Sequence, residues 1–286
     1  MQSALLYRFQ AAMIGAIVGE TIGIQSSGRV PAHRVSLDRL MQFYAESLID
    51  PSRVEDPNDP IFREPLTTAE SAIALLPVFL FFHEDFTKLR QNVQTVLNLW
   101  QNPAVSELDL LAIGYTLSQA LRESLNPRRF VASMFEAVLA PPEGIPKLQR
   151  LQQVETMVQQ GIGLEDATQL ILTLSDATLG DAAIALALYC FLSTPGDFRV
   201  SILRAVQTRY QVPGVAALTG AISGAYNSTI GIPANWRMIM AQQAEIQQLS
   251  QRLLASWSGM YVVEAGNFAV ASLPLGVAAP QVMRRD

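Results

Sequence analysis

The sequence predicts an all-α protein, a single compact multi-helix orthogonal bundle. Three observations carry that expectation. Apolar residues recur three and four apart in one segment after another, the spacing of a helix face. Segment boundaries carry helix-capping residues and prolines rather than hairpin turns. No stretch sustains apolar–polar alternation with β-branched enrichment. The nearest, MYVVEAGNFAVASLPLGV from Met260, is broken by glycine and proline and reads as coil against the surface. With 286 residues, half of them hydrophobic and 16% charged, the chain can bury a sizeable core. The expected organisation is a helical domain over residues 1–260 and a Gly/Pro-rich tail over 261–286.

The elements follow in order. A first helix over residues 4–22 spaces Gly15, Gly19 and Gly23 four apart, on one face, so that another backbone can approach closely. A loop is expected over 25–35, then a short amphipathic helix over 37–48. The run DPSRVEDPNDPIFREP is too proline-rich for regular structure. Thr67 and Glu70 have the spacing of a capping box at the head of TTAESAIALL. Pro77 should kink that helix or end its first part. Leu89, Val93, Val96, Leu97 and Trp100 define the next helix, and Ser106 with Asp109 caps one running to about Ser124. Further helices are expected over 128–139, 146–160, 164–175, 181–192, 198–208, 215–226 and 235–257. On this reading QVPG, Gln211 to Gly214, is a turn before the helix that carries Ala216, Gly220 and Gly224 four apart.

Composition excludes several classes of function. The net charge of −5 and scattered cations leave no basic stripe to track a nucleic acid. Cys190 stands alone in an apolar run, which rules out a disulfide framework and suits a reducing compartment. The start MQSALLYRFQ lacks the pattern of a signal peptide. The longest apolar runs, 72–82 and 182–192, are 11 residues each against the roughly 20 that span a membrane, and read as buried core helices. A cytoplasmic protein without a transmembrane segment is expected. No CxxC, HExxH, GxSxG or P-loop pattern is present. His33 lies in a loop, and His83 at a helix end beside Glu84 reads as a cation near a helix C-terminus.

The carboxylates with a chemical reading are Glu20, in the glycine-striped helix, Glu70, and Asp176 and Asp181 around the turn DATLGD. Converging, such groups could hold a hard divalent cation. Each also has an ordinary structural use: a capping box for Glu70, an N-cap for Asp181, a turn for Asp176.

Taken in order, RFQAAMIGAIVGETIG, TTAESAIALLPVFL, AIGYTLSQAL and the long stretch from Asp176 to Trp236 resemble the ADP-ribosylglycohydrolase family, all-α hydrolases typified by the dinitrogenase-reductase-activating glycohydrolase. The resemblance implies a binuclear Mg²⁺ site that positions ADP-ribose and activates water for glycosidic cleavage. It places one ligand group, Thr-Asp-Asp-Thr, on Thr68, Ala69, Glu70 and Ser71. It places a second, from Gly-Gly-Asp-(Ser/Thr)-Asp-Thr, on Gln211, Val212, Pro213 and Gly214, and puts Glu20 at the acidic position of the first helix. The family's Gly-Asn-Gly-Ala-x-Met-Arg segment and its Thr-His pair have no counterpart between Leu121 and Arg150.

Those departures set the expected function. Most of the aspartates that would offset repulsion between two Mg²⁺ ions are missing, so neither Mg²⁺ nor another cofactor is expected. The leading reading is a non-catalytic member of the fold that acts as a binding, assembly or regulatory factor for a protein partner. Its remnant cleft is marked by Thr68, Glu70, Ser71 and Gln211. The rival is a hydrolase that keeps glycosidic chemistry with Glu20 and Glu70 and one metal or none. A third reading has the cleft hold a nucleotide-like ligand and report it to a partner. The tail could present a partner-binding surface or pack on its own core.

Overall fold

The computed structural model describes residues 2–28, 37–50, 66–127, 130, 133–134, 145–174, 179–238 and 243–259. Among these residues there is no strand, and thirteen helices form the fold. They are α1 (Gln2–Ser27), α2 (Leu37–Ile49), α3 (Thr68–Ala74), α4 (Leu76–Phe81), α5 (Phe86–Trp100), α6 (Glu107–Leu121) and α7 (Ile145–Gln159). They continue with α8 (Leu164–Leu174), α9 (Leu179–Ser193), α10 (Phe198–Gln207), α11 (Val212–Gly231), α12 (Ala234–Arg237) and α13 (Gln243–Trp257). His33, Asp176, the proline-rich run, most of the helix expected over 128–139 and the tail lie outside the described residues.

The fold is organised on α1 and α11. A Cβ built on Gly15, Gly19, Gly220 or Gly224 would lie 2.0–2.1 Å from a backbone carbonyl oxygen of the facing helix. Gly15 faces Gly220, Gly19 faces Ala216, Gly224 faces Ala11, and Gly23 sits on Pro213. The pairs advance by about one turn per step in opposite directions, so the two helices run antiparallel with their backbones touching. The contact points each glycine Cα–H at a carbonyl, a weak but repeated attraction. Helices α3, α6, α9 and α10 pack around α11, while α13 lies on α1 and carries α2.

Several boundaries differ from the sequence expectation. α1 continues to Ser27 because Gly23 is an interior packing glycine, not a stop; the left-handed Gly28, at φ 62°, follows its end. α11 begins at Val212, so QVPG is its N-cap and first turn, where proline's missing N–H costs no helical bond. α9 begins at Leu179, which puts Asp181 inside the helix and not at its N-cap. The 235–257 segment is described as two pieces, the one-turn α12 and α13. The break between α3 and α4 falls at Leu75, one residue before the turn that holds Pro77.

Helix α9 is apolar on every side and is buried throughout 182–192. Its Tyr189 hydroxyl donates to the Ile162 carbonyl at 2.6 Å and accepts from Arg204 Nη2 at 3.0 Å. Beside it, burial pushes the Cys190 thiol up to about 12, which leaves it protonated and unreactive.

At the opposite end of the α1–α11 seam, Arg8 closes two helices at once. Ser228 breaks α11 with φ 62° and ψ 178°, and this frees carbonyls in the preceding turn. Arg8 Nη1 donates to Ala225 O at 2.9 Å, Tyr226 O at 2.7 Å and, at the end of α6, Ala120 O at 3.3 Å. Its Nη2 pairs with Glu123 at 3.0 Å. A cation among helix C-terminal carbonyls satisfies both the orphan acceptors and the helix dipoles.

His83 follows α4 in a tight turn and is buried at 2% exposure. Its Nδ1 lies 2.7 Å from the Leu80 carbonyl, and because a carbonyl only accepts, Nδ1 carries the proton. Burial is the main cause that lowers its pKa to about 4; the Leu80 bond opposes it and Arg122 adds to it. The imidazole is therefore neutral at pH 7. It ends α4 as a hydrogen-bond donor, not as the cation expected from sequence.

Candidate functional site

The site is built where the start of α3, the start of α11 and the second half of α1 meet. Thr67 takes extended dihedrals (φ −69°, ψ 165°) as the N-cap of α3. Its Oγ1 accepts from the Glu70 N–H at 3.2 Å. Glu70 Oε2 in turn accepts from both the Thr67 N–H and the Thr67 hydroxyl, each at 2.8 Å. This is the capping box read from the sequence, and it draws the Glu70 carboxylate back onto its own helix end. Glu70→Ala is expected to lower stability by about 1 kcal/mol, and Glu70→Gln, which keeps the box, by a few tenths. Thermal melts of the two variants check it; equal losses would remove the box as the cause.

The neighbouring positions are directed elsewhere. Thr68 is buried, and its hydroxyl lies 3.4 Å from Ala104 O and 3.4 Å from the Ser106 N–H, a bridge to the loop before α6. Ala69 is fully buried and faces α11: a Cβ built on Gly214 would meet the Ala69 Cβ at 3.4 Å. Ser71 is fully buried, and its hydroxyl has no hydrogen-bond partner among the described residues.

At the start of α11, Gln211 is a left-handed N-cap (φ 36°, ψ 47°) with no side-chain capping bond. Its Nε2 donates to the Tyr210 hydroxyl at 3.4 Å. Pro213 is pressed against α1, where a Cβ on Gly23 would lie 2.7 Å from the Pro213 Cα. Glu20 is half-buried on α1, next to Gly19 at the Ala216 contact. The fold thus brings the segments around Ala69 and Gly214 together, as the family resemblance implies. Of the predicted remnant-cleft residues, Glu70 turns to its cap, Thr68 to the α6 loop and Gln211 to Tyr210. Among the described residues no three His, Cys, Asp or Glu side chains form a group able to hold a metal ion.

Arg209 escaped the sequence reading. It is exposed and held at φ 55°, a left-handed backbone that costs an L-residue about 1–2 kcal/mol. It borders a cleft of about 600 Å³ between α8 and the α10–α11 turn, lined by none of Thr68, Glu70, Ser71 and Gln211.

A profile of the ADP-ribosylglycohydrolase family matches residues 33–261, four-fifths of the chain. The chain belongs to the ADP-ribosylglycohydrolase family. A solved structure described as an ADP-ribosylglycohydrolase-related protein complex superposes with a TM-score of 0.65 over 88% of this chain and 98% of its own, at 18% identity. At that identity the likeness is one of fold. No curated protein matches. For this ADP-ribosylglycohydrolase-family chain the matched span includes both the α3 and the α11 segments but not α1, so the place of Glu20 rests on resemblance alone. Among the described residues no helix is long and apolar enough to cross a membrane.

Proposed function

We propose that this chain is a non-catalytic ADP-ribosylglycohydrolase-family protein that acts as a binding, assembly or regulatory factor in the cytoplasm. The observation that carries the reading is what fills the two ligand segments where they meet. Ala69 offers a methyl group to Gly214, and Pro213 lies on Gly23. These residues do not fit a binuclear Mg²⁺ site. Two divalent cations a few ångströms apart repel strongly, and hard cations need several anionic oxygens to offset that. Glu70, the one carboxylate in the two segments, has Oε2 engaged by Thr67. The same engagement weakens the rival reading, a hydrolase using Glu20 and Glu70, because its best acid or base is already a helix cap.

Loss of metal ligands with retention of the α1–α11 frame supports use of the fold as a surface, and the solved neighbour is itself described as a complex. Titration calorimetry with Mg²⁺, together with an assay for ADP-ribose release from a modified protein, tests the proposal. No saturable Mg²⁺ binding and no turnover are expected. Metal-dependent turnover abolished by Glu70→Ala would overturn it.

A further inference from the structure

We propose that the cleft between α8 and the α10–α11 turn binds a small zwitterion: an α-amino acid or short peptide with a free ammonium and a free carboxylate. Its volume, about 600 Å³, lies in the range of small-molecule sites. Glu165 stands on the α8 wall and Arg209 on the turn opposite, both exposed. Neither side chain forms a hydrogen bond or ion pair among the described residues, with the other or with any third group. Leu164 and Leu172 give the cleft an apolar wall, and Thr168 and Gln207 add hydrogen-bonding groups.

Two opposite charges across one cleft, without partners among the described residues, select a ligand that is charged at both ends and neutral overall. A phosphate or nucleotide would be repelled by Glu165, and a bare cation by Arg209. A carboxylate on the Arg209 guanidinium and an ammonium on Glu165 would satisfy both as charge-assisted hydrogen bonds. The leucines would meet an apolar side chain.

The backbone at Arg209 is itself strained. Arg209 holds a left-handed φ of 55°, which a glycine would adopt without strain. The turn that presents it is fastened by Thr208, which is buried and donates its hydroxyl to Ala205 O at 2.7 Å. This site is separate from the remnant cleft, and the proposal stands whether or not catalysis survives.

The test is saturation-transfer NMR and calorimetry on the full chain, with L-leucine and leucyl-leucine as probes. N-acetyl-leucine, without the ammonium, and leucinamide, without the carboxylate, serve as controls. The same titrations are run on Glu165→Gln and Arg209→Gly. The glycine variant relieves the left-handed strain and should melt no lower than the parent, so lost binding in it is not lost folding. At least one probe is expected to saturate the parent, with each variant and each blocked analogue weaker by at least about tenfold, as expected for one lost charge-assisted bond. Failure of both probes to bind, or binding unchanged in both variants, would overturn the proposal.

Discussion

Gly220→Ala is expected to destabilise the protein by about 3 kcal/mol, a large fraction of the 5–15 kcal/mol that holds a typical domain together. Two effects oppose each other at this position. Alanine is the better helix former by about 1 kcal/mol, and in an exposed helix that term would decide the sign. Here the added methyl would sit 2.0 Å from the Gly15 carbonyl oxygen and 2.7 Å from its carbon. Both are backbone atoms of a helix that is itself buried, so no rotamer change can make room. The two helices must move apart, and the movement is shared along the seam. The contacts of Ala216 on Gly19 and of Ala11 on Gly224 loosen with it. Overpacking therefore exceeds propensity. Gly196→Ala is the control, because a Cβ there meets nothing within 4 Å and should shift stability by no more than about 0.5 kcal/mol. Urea unfolding midpoints measure both. An unchanged midpoint for Gly220→Ala would mean that the seam does not hold the fold as described.

That seam also marks how far the sequence could be read. Both small-residue faces were legible, because four-residue spacing of Gly15, Gly19 and Gly23, and of Ala216, Gly220 and Gly224, is a local property of a helix. That the two faces pack on each other, antiparallel, was not, since no local pattern names a partner some two hundred residues away. The capping box of Thr67 and Glu70 was legible for the same local reason, and it is formed as expected.

The candidate site was legible in part. Aligning motifs located the two segments that meet at Ala69 and Gly214. The first turn of α11 was missed because Pro213 reads as a breaker unless it is known to occupy the first turn of the helix, where it is tolerated. Arg209 was missed because a left-handed backbone is announced in sequence by glycine or asparagine, and arginine hides it. The charge state of His83 was misread for a different reason. It stands between an apolar run and the acidic pair Glu84 and Asp85, which suggest a charged helix end, while the groups that dehydrate it come from both ends of the chain.

Those groups set the second large expectation: between pH 6.5 and pH 4 the protein should lose about 3 kcal/mol of stability through His83 alone. The ring lies between Phe9, edge-on at 5.5 Å, and Trp257 at 4.9 Å, while the His83 carbonyl accepts from the Ser118 hydroxyl. Burial favours the neutral imidazole, so the folded state takes up its proton only near pH 4, whereas the unfolded chain does so near 6.5. Across that window the unfolded state binds more protons. Stability is fully present above about 6.5, falls as the pH drops, and the loss is complete below about 4. His83→Gln isolates the effect, since its amide can still donate to the Leu80 carbonyl but does not titrate. The variant starts from its own lower stability at pH 7, and the informative quantity is the slope. Denaturant titrations at steps from pH 7 to pH 4 should show the parent falling by about 3 kcal/mol more than the variant. Parallel curves would mean that His83 is hydrated in the folded protein, and that the packing of Phe9 and Trp257 around it is not as tight as the geometry requires.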